Sequence, residues 1–316
     1  MKKIFIIVKL ILLNLLYLIN PDLFCKDGQV QSNTVSAKQI FVVTTTEDLA
    51  DLTKEIGLDK VKVVSLSYGY QDPHLVEPRP SMVVQLKKAD MLVKIGMDLD
   101  IWVDSLIQAS RNSNIVYKAR GYVDASVGIL RLEVPKGKID ASMGDIHIYG
   151  NPHYWLDPGN AKPITKNILD GLCKISPENT EYFKNNRNHY LEKLNKAIEI
   201  WNEKMKPYKG KKIVTYHKSW SYFAKHFDLE VIATVEPKPG IPPSPAHLNS
   251  LINLMKKEKP ELILHEIFYP KKTSEMVSKE TQTKLIILPT SVGGIKEIKD
   301  YISLFDYIIE KIISTS

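Results

Sequence analysis

The stretch "SPENTEYFKNNRNHYLEKLNKAIEIWNEKMKPYKG", residues 176 to 210, constrains the fold more than any other part of the chain. Ser176 and Pro177, with Glu178 behind them, form a cap and first turn. From there Tyr182, Phe183, Tyr190, Leu191, Leu194, Ala197, Ile198 and Trp201 sustain a helical stripe for about eight turns. A helix of that length exceeds an ordinary crossover between strands. A flexible linker would be rich in Gly or Ser, and the interior of this segment has neither. The pattern predicts one rigid connector between two bodies.

On both sides of it, short apolar runs alternate with amphipathic helical patterns. "QIFVVTT" suits a buried strand, and "TEDLADLTKEIG" follows with helical spacing and a Gly stop. "KVVSLS", "SMVVQLKKA", "DMLVKIG", "IWVDSLIQAS" and "NIVYKA" continue the rhythm. It returns in "KKIVTY", "SWSYFAKHF", "EVIATV", "PAHLNSLINLMKKEK", "ELILHE", "KTSEMVSKET", "TKLIIL" and "KDYISLFDYIIEKII". Strands alternating with helices imply an α/β fold: two βα lobes with parallel-rich sheets. The resulting division is residues 38–175 for the first lobe, 176–208 for the connector and 209–316 for the second lobe.

Residues 1–25 stand apart. "MKKIFIIVKLILLNLLYLI" begins with Lys2 and Lys3 and continues as an apolar run broken by Lys9 and Asn14. This is the pattern of a secretory signal peptide, with an N-terminal membrane anchor as the competing reading. Cys25 is a candidate lipid acceptor, although Phe24 rather than a small residue precedes it, and 26–37 then read as a tether. The chain is expected to act outside the cytoplasm, at the cell surface or in the periplasm. Cys25 and Cys173 are the only cysteines, which excludes a disulfide framework and a Cys₄ or Cys₂His₂ zinc site. The net charge of +7 comes largely from lysines in pairs such as Lys87-Lys88 and Lys211-Lys212. No Arg-rich or aromatic-interleaved stripe accompanies them, so no nucleic-acid partner is expected.

The strand-to-loop transitions carry the chemistry. In "QDPHLVEPRPS" His74 follows Asp72-Pro73; in "GDIHIYGNPHYWLDP" stand His147 and His153; after "KKIVTY" comes His217. Ligand sites of open α/β sheets lie beyond the carboxyl ends of the strands, where these imidazoles could meet between the lobes. Proline at 73 and 152 fixes φ just before a histidine and stiffens its presentation. Asp72, Glu77 and Asp157 are candidates to hold the second ring nitrogen of a ligating imidazole. For Asp157-Pro158 the favoured reading is a helix cap for "GNAKPITKNILDGL". His189, His226 and His247 sit on helical patterns and read as structural, as does His265.

These residues also carry a resemblance. "DPHLVEPRPSMVVQLKKADMLVKIGMDLDIW", "NPHYWLDPGNA", "VTYHKSWSYFAKHFDLEV" and "EPKPGIPPSPAHLNSLINLMKKEKPELILHEIFYP" resemble, in order, hallmark stretches of the zinc/manganese solute-binding proteins of ABC importers. The similarity runs from about residue 38 to 312. It implies two α/β lobes joined by one long helix, with a metal site in the cleft between them. It also implies a membrane permease as partner and no enzymatic activity. The protein would be a monomer that meets the membrane only through a possible lipid anchor. His74, His153 and His217 fall on three of the four usual metal ligands. The fourth is usually an aspartate, but here "LIILPTSVGG" places Thr290 or Ser291 there. Glu266, ending the strand "ELILHE", is the expected substitute, with His147 and water as alternatives. The long His- and acid-rich loop of many zinc-dedicated relatives is also missing.

Three imidazoles without an assured carboxylate suit Zn²⁺ better than Mn²⁺, which prefers oxygen donors. Two rival functions share the same residues. One is a surface adhesin with a structural metal; the other is a zinc hydrolase or lyase, which lacks a His-Glu-x-x-His helix and a placed acid–base pair.

Overall fold

The structure, a computed structural model, describes residues 38–137 and 147–315. The leader, the tether and Cys25 lie outside the described residues, as does most of the segment where the His-rich loop of relatives was sought. Among the described residues no helix is long and apolar enough to cross a membrane.

The first half contains β1 (Ile40–Thr44), α1 (Glu47–Gly57), β2 (Val61–Ser65), α2 (Pro80–Lys88), β3 (Met91–Lys94), α3 (Trp102–Ser110), β4 (Tyr122–Asp124) and α4 (Ala161–Ile175). The second half contains β5 (Lys212–Thr215), α6 (Ser221–His226), β6 (Glu230–Thr234), α7 (Pro245–Glu258), β7 (Leu262–Glu266), α8 (Lys272–Thr281), β8 (Lys284–Leu288) and α9 (Tyr301–Thr315). Between them runs α5 (Thr180–Met205), extended at each end by a 3₁₀ turn. The two sheets, β2-β1-β3-β4 and β6-β5-β7-β8, are parallel throughout and share one order.

Both faces of each sheet are covered, as parallel sheets require. Val42, Met91 and Val93 pack into the large core shared with α5, while Val43 and Leu92 face a second cluster with α2 and α3. The second sheet repeats the arrangement. Ile213, Leu262 and Leu264 face the shared core, and Val214 and Ile263 face α7 and α8. Side chains alternate because the strand period is two. The run "NIVYKA" forms turns rather than a strand, and β4 starts a few residues later at Tyr122.

Helix α5 buries Phe183, Tyr190, Leu194, Trp201 and Met205. Their spacing of seven and four puts them on one seam. Tyr182, Leu191, Ala197 and Ile198 pack partly buried beside it. Trp201 stacks on Phe305 of α9 and donates its indole N–H to Asp306 at 2.7 Å. A buried tryptophan of this kind contributes about 3–5 kcal/mol relative to alanine.

A second joint forms where loops from the two halves touch. Asp48, fully buried at the start of α1, accepts the Val292 N–H at 2.9 Å and the Ser291 hydroxyl. Asp51 accepts the Tyr301 N–H at 2.9 Å. Gly69 lies flush against the same loop: a Cβ there would sit 1.9 Å from the Val292 carbonyl oxygen.

Candidate metal centre

His74 sits in the loop after β2, and His153 and His217 each stand just before a 3₁₀ turn, Tyr154–Leu156 and Lys218–Trp220. The structure brings the three together. Ring centroids are 5.0 Å apart for His74–His153, 5.3 Å for His74–His217 and 5.2 Å for His153–His217. One donor atom from each lies within 4.8 Å of the other two, and among the described residues these form the one such group of His, Cys, Asp and Glu. His153 and His217 are buried, each 3% exposed.

Each ring has its Nδ1 committed. Asp72 Oδ1 accepts both the His74 backbone N–H at 2.9 Å and its Nδ1–H at 2.7 Å. Asn151 Oδ1 repeats the arrangement for His153, at 3.0 and 2.9 Å. Glu236 Oε2 accepts the Nδ1–H of His217 at 2.5 Å. A donor hydrogen on Nδ1 of a neutral ring leaves Nε2 as a bare lone pair, the state a metal ligand needs. Trp102 helps to fix the first turn by donating its indole N–H to the Pro73 carbonyl at 3.1 Å. Asn151 spans the cleft as well: its amide donates to the Lys218 carbonyl at 2.8 Å, directly after His217.

The charges around the group differ between its members. Burial, with repulsion from His74 and His217, holds His153 far below the usual imidazole pKa and His147 at about 3. Both are neutral at physiological pH. At His217 burial pulls the same way, but the hydrogen bond to Glu236 and the charges of Glu266, Glu236 and Asp72 outweigh it, and its pKa is raised. Asp72 titrates below the ordinary carboxylate value: burial opposes ionisation, but His74 more than offsets it.

Glu266 ends β7, which pairs with β5, the strand leading to His217. It is fully buried, and neither carboxylate oxygen has a hydrogen bond of good geometry. The Ser219 hydroxyl and the His217 backbone lie near enough to ease its ionisation, yet burial still raises its pKa. A buried carboxylate without full compensation is costly unless a cation comes to it. His147 also reaches the group, its Nε2 3.1 Å from that of His74. Around a tetrahedral zinc, neighbouring nitrogens stand about 3.3 Å apart. The two residues at the place of the usual aspartate offer no carboxylate. The Thr290 carbonyl accepts the Trp155 indole N–H at 2.7 Å, and the Ser291 hydroxyl is held by Asp48.

Two candidate supports fall elsewhere. Asp157 caps the turn before α4 by accepting the Gly159 N–H, and it pairs with His226 at 2.6 Å rather than with a clustered imidazole. Glu77 is exposed. Sequence reasoning missed Glu236 and the part played by Asn151. Asn151 was visible in the parallel between Asp-Pro-His and Asn-Pro-His. Glu236 was visible only as a carboxylate ending "EVIATVE". Of the histidines read as structural, His247 contacts the Thr234 and Val235 carbonyls, His265 contacts Ser274 and the Tyr269 carbonyl, and His189 is exposed on α5.

Beside the imidazoles lies a cavity of about 220 Å³, lined by Glu133, His147, His153, His217 and Pro237–Pro239 among others. It gives the group a path to solvent.

A family model described as zinc-uptake complex component A, periplasmic, matches residues 42–315. The high-affinity zinc uptake system protein ZnuA of Bacillus subtilis is 28% identical over 265 residues, covering 83% of this chain and 82% of its own. The manganese ABC transporter substrate-binding lipoprotein PsaA of Streptococcus pneumoniae is 28% identical over 300 residues, covering 91% and 92%. A crystal structure of ZnuA superposes with a TM-score of 0.73 at 24% identity, over 88% of this chain and 99% of that one.

Proposed function

Since the chain belongs to the zinc-uptake complex component A family, we propose that it is an extracytoplasmic solute-binding protein that captures a transition-metal ion and passes it to the permease of an ABC importer. The carrying observation is the convergence of His74, His153 and His217 within 4.8 Å, with every Nδ1 already committed to an acceptor. Each ring therefore presents Nε2 to one point. Zn²⁺ is the proposed cargo. Three nitrogen donors match its preference, whereas Mn²⁺ favours carboxylate and water oxygens. The manganese-named relative keeps Mn²⁺ as the competing cargo.

Glu266 is the proposed fourth ligand: it lies outside the group of three, but its carboxylate is fully buried and has no hydrogen bond of good geometry. Its negative charge would offset a dication in a site where Asp72 and Glu236 already lie behind two of the rings. A second reading gives the place to His147, favoured by its 3.1 Å contact with His74. The reading includes no catalytic turnover: capture and release need donors and a cleft, and the matched relatives carry transport names. It places the protein in the periplasm or on the cell surface, possible lipidation at Cys25 included, and it requires no second copy of the chain.

The test is metal content by mass spectrometry after gentle purification, with competition titrations of Zn²⁺ against Mn²⁺. Zinc retained at one equivalent and preferred over manganese supports the reading, and preferential manganese binding reverses the cargo. Glu266→Gln and His147→Ala divide the fourth place. If Glu266 ligates, Glu266→Gln weakens zinc strongly and changes the visible spectrum of the Co²⁺ form. If His147 ligates, the effects move to His147→Ala.

A further inference from the structure

Glu236 is a buried carboxylate, 6% exposed, outside the proposed donor set. Its two oxygens have different tasks. Oε2 holds the Nδ1–H of His217, and Oε1 accepts the backbone N–H of Gly240 at 2.8 Å. Between the two contacts run Pro237, Lys238 and Pro239, which line the cavity together with His147 and His153. The prolines have no N–H to offer, so the carboxylate reaches the turn through Gly240. Gly240 adopts φ +74°, a conformation that suits glycine, and the turn closes with an Ile241 N–H to Lys238 carbonyl bond of 3.0 Å.

A glutamate is suited to this bridge in a way that glutamine is not. His217 and Gly240 meet different oxygens of the carboxylate, and glutamine would put an NH₂ donor in the place of one of them, setting donor against donor at that contact. A cation bound at Nε2 draws electron density from the ring and makes Nδ1–H a stronger donor, so the bond to Glu236 tightens when the site is loaded. The same carboxylate then holds the turn.

We infer that Glu236 is a positioning residue that couples the ion on His217 to the turn 237–241, fastening the wall of the cavity when the cleft is loaded. The inference rests on the reading of His217 as a metal ligand. It deepens that reading by naming how loading is felt at the protein surface, where a permease would meet it.

The experiment measures two quantities on the full chain, using Zn²⁺ alone as the probe: the zinc dissociation rate into excess chelator, and backbone hydrogen exchange at 238–241 with and without zinc. In the wild type, zinc slows exchange in the turn. In Glu236→Gln, dissociation accelerates about tenfold or more, the scale of losing an outer partner of a metal ligand. The zinc-dependent protection of 238–241 disappears, while protection around His153 remains. Persistence of either wild-type value overturns the inference. If Glu236→Gln does not fold, Glu236→Asp replaces it, being one methylene too short to bridge both donors, with the same expected result. A wild type that takes up no zinc removes the functional reading itself, an outcome distinct from normal zinc binding with an unresponsive turn.

Discussion

The three clustered imidazoles are anchored in two different ways. His74 and His153 are held by an Asx side chain two residues earlier, across an intervening proline, with one oxygen accepting both the backbone and the ring N–H. His217 is held by Glu236, nineteen residues away and on the far side of a helix and a strand. The first device folds with its own turn. The second exists only once β5 and β6 have paired and brought the end of one beside the end of the other. A local anchor stiffens a ligand independently of its surroundings; a distant one makes the ligand report on them.

The largest effect should come from the rings themselves. His153→Ala and His217→Ala are expected to lower zinc affinity by more than about a hundredfold, since even an outer partner is worth about 10–100-fold. Isothermal titration would measure this, and wild-type affinity in both variants would dissolve the comparison. The ion-free proteins should keep their fold, because the rings lie at loop ends outside the apolar clusters.

A smaller effect separates the two local anchors. Asp72→Asn keeps an acceptor for both His74 donors but loses the charge and one acceptor oxygen, so affinity should fall by about tenfold. Asn151→Asp adds charge next to the ion but removes the amide donor to the Lys218 carbonyl and sets a carboxylate beside Glu133. It should therefore bind zinc more weakly than the wild type. Tighter binding would mean that charge, not the cross-cleft bond, governs this anchor.

The smallest effect on zinc itself is expected at the joint behind the cleft, where the readout is stability. Burial raises the pKa of Asp48 to about 7 in the folded chain, despite the bonds from Ser291 and Val292. As pH rises from about 4, the unfolded chain loses this proton before the folded one does, so the group's contribution to stability declines up to about pH 7 and is then level. His153, with its lowered pKa, acts in the opposite sense, so the informative quantity is the difference from Asp48→Asn. Over that window the ion-free wild type should lose about 10 °C in melting temperature relative to the variant, since about three pKa units amount to about 4 kcal/mol. Parallel curves would show that the joint does not titrate there.

Legibility followed the same divide. The connector, the paired α/β halves and the two Pro-His turns could be read because each depends on neighbours in sequence. Cap, stripe and breaker all lie within a few residues of the position they determine. Glu236 could not, since its role needs a strand order that periodicity does not specify. Asp157 followed its local signal, an Asp-Pro pair capping the turn before a helix. A carboxylate four residues from His153 looks like its support, yet the turn after His153 directs it to the helix start and to His226. The strand expected at "NIVYKA" failed because an apolar run of that length does not distinguish a short strand from the turns before one.

The stiffness of α5 has a consequence for timing. The chain crosses between its halves once, through 26 helical residues about 39 Å long, seated on both halves by the same seam. A wide swing about such a beam would have to break it or strip Trp201 from Phe305. Departure of a captured ion is then governed by the breathing of a few cleft loops, and residence time becomes a local property that can be long without any large rearrangement. Small-angle scattering profiles with and without zinc should nearly coincide. Rapid unloading would then call for a push from outside the molecule.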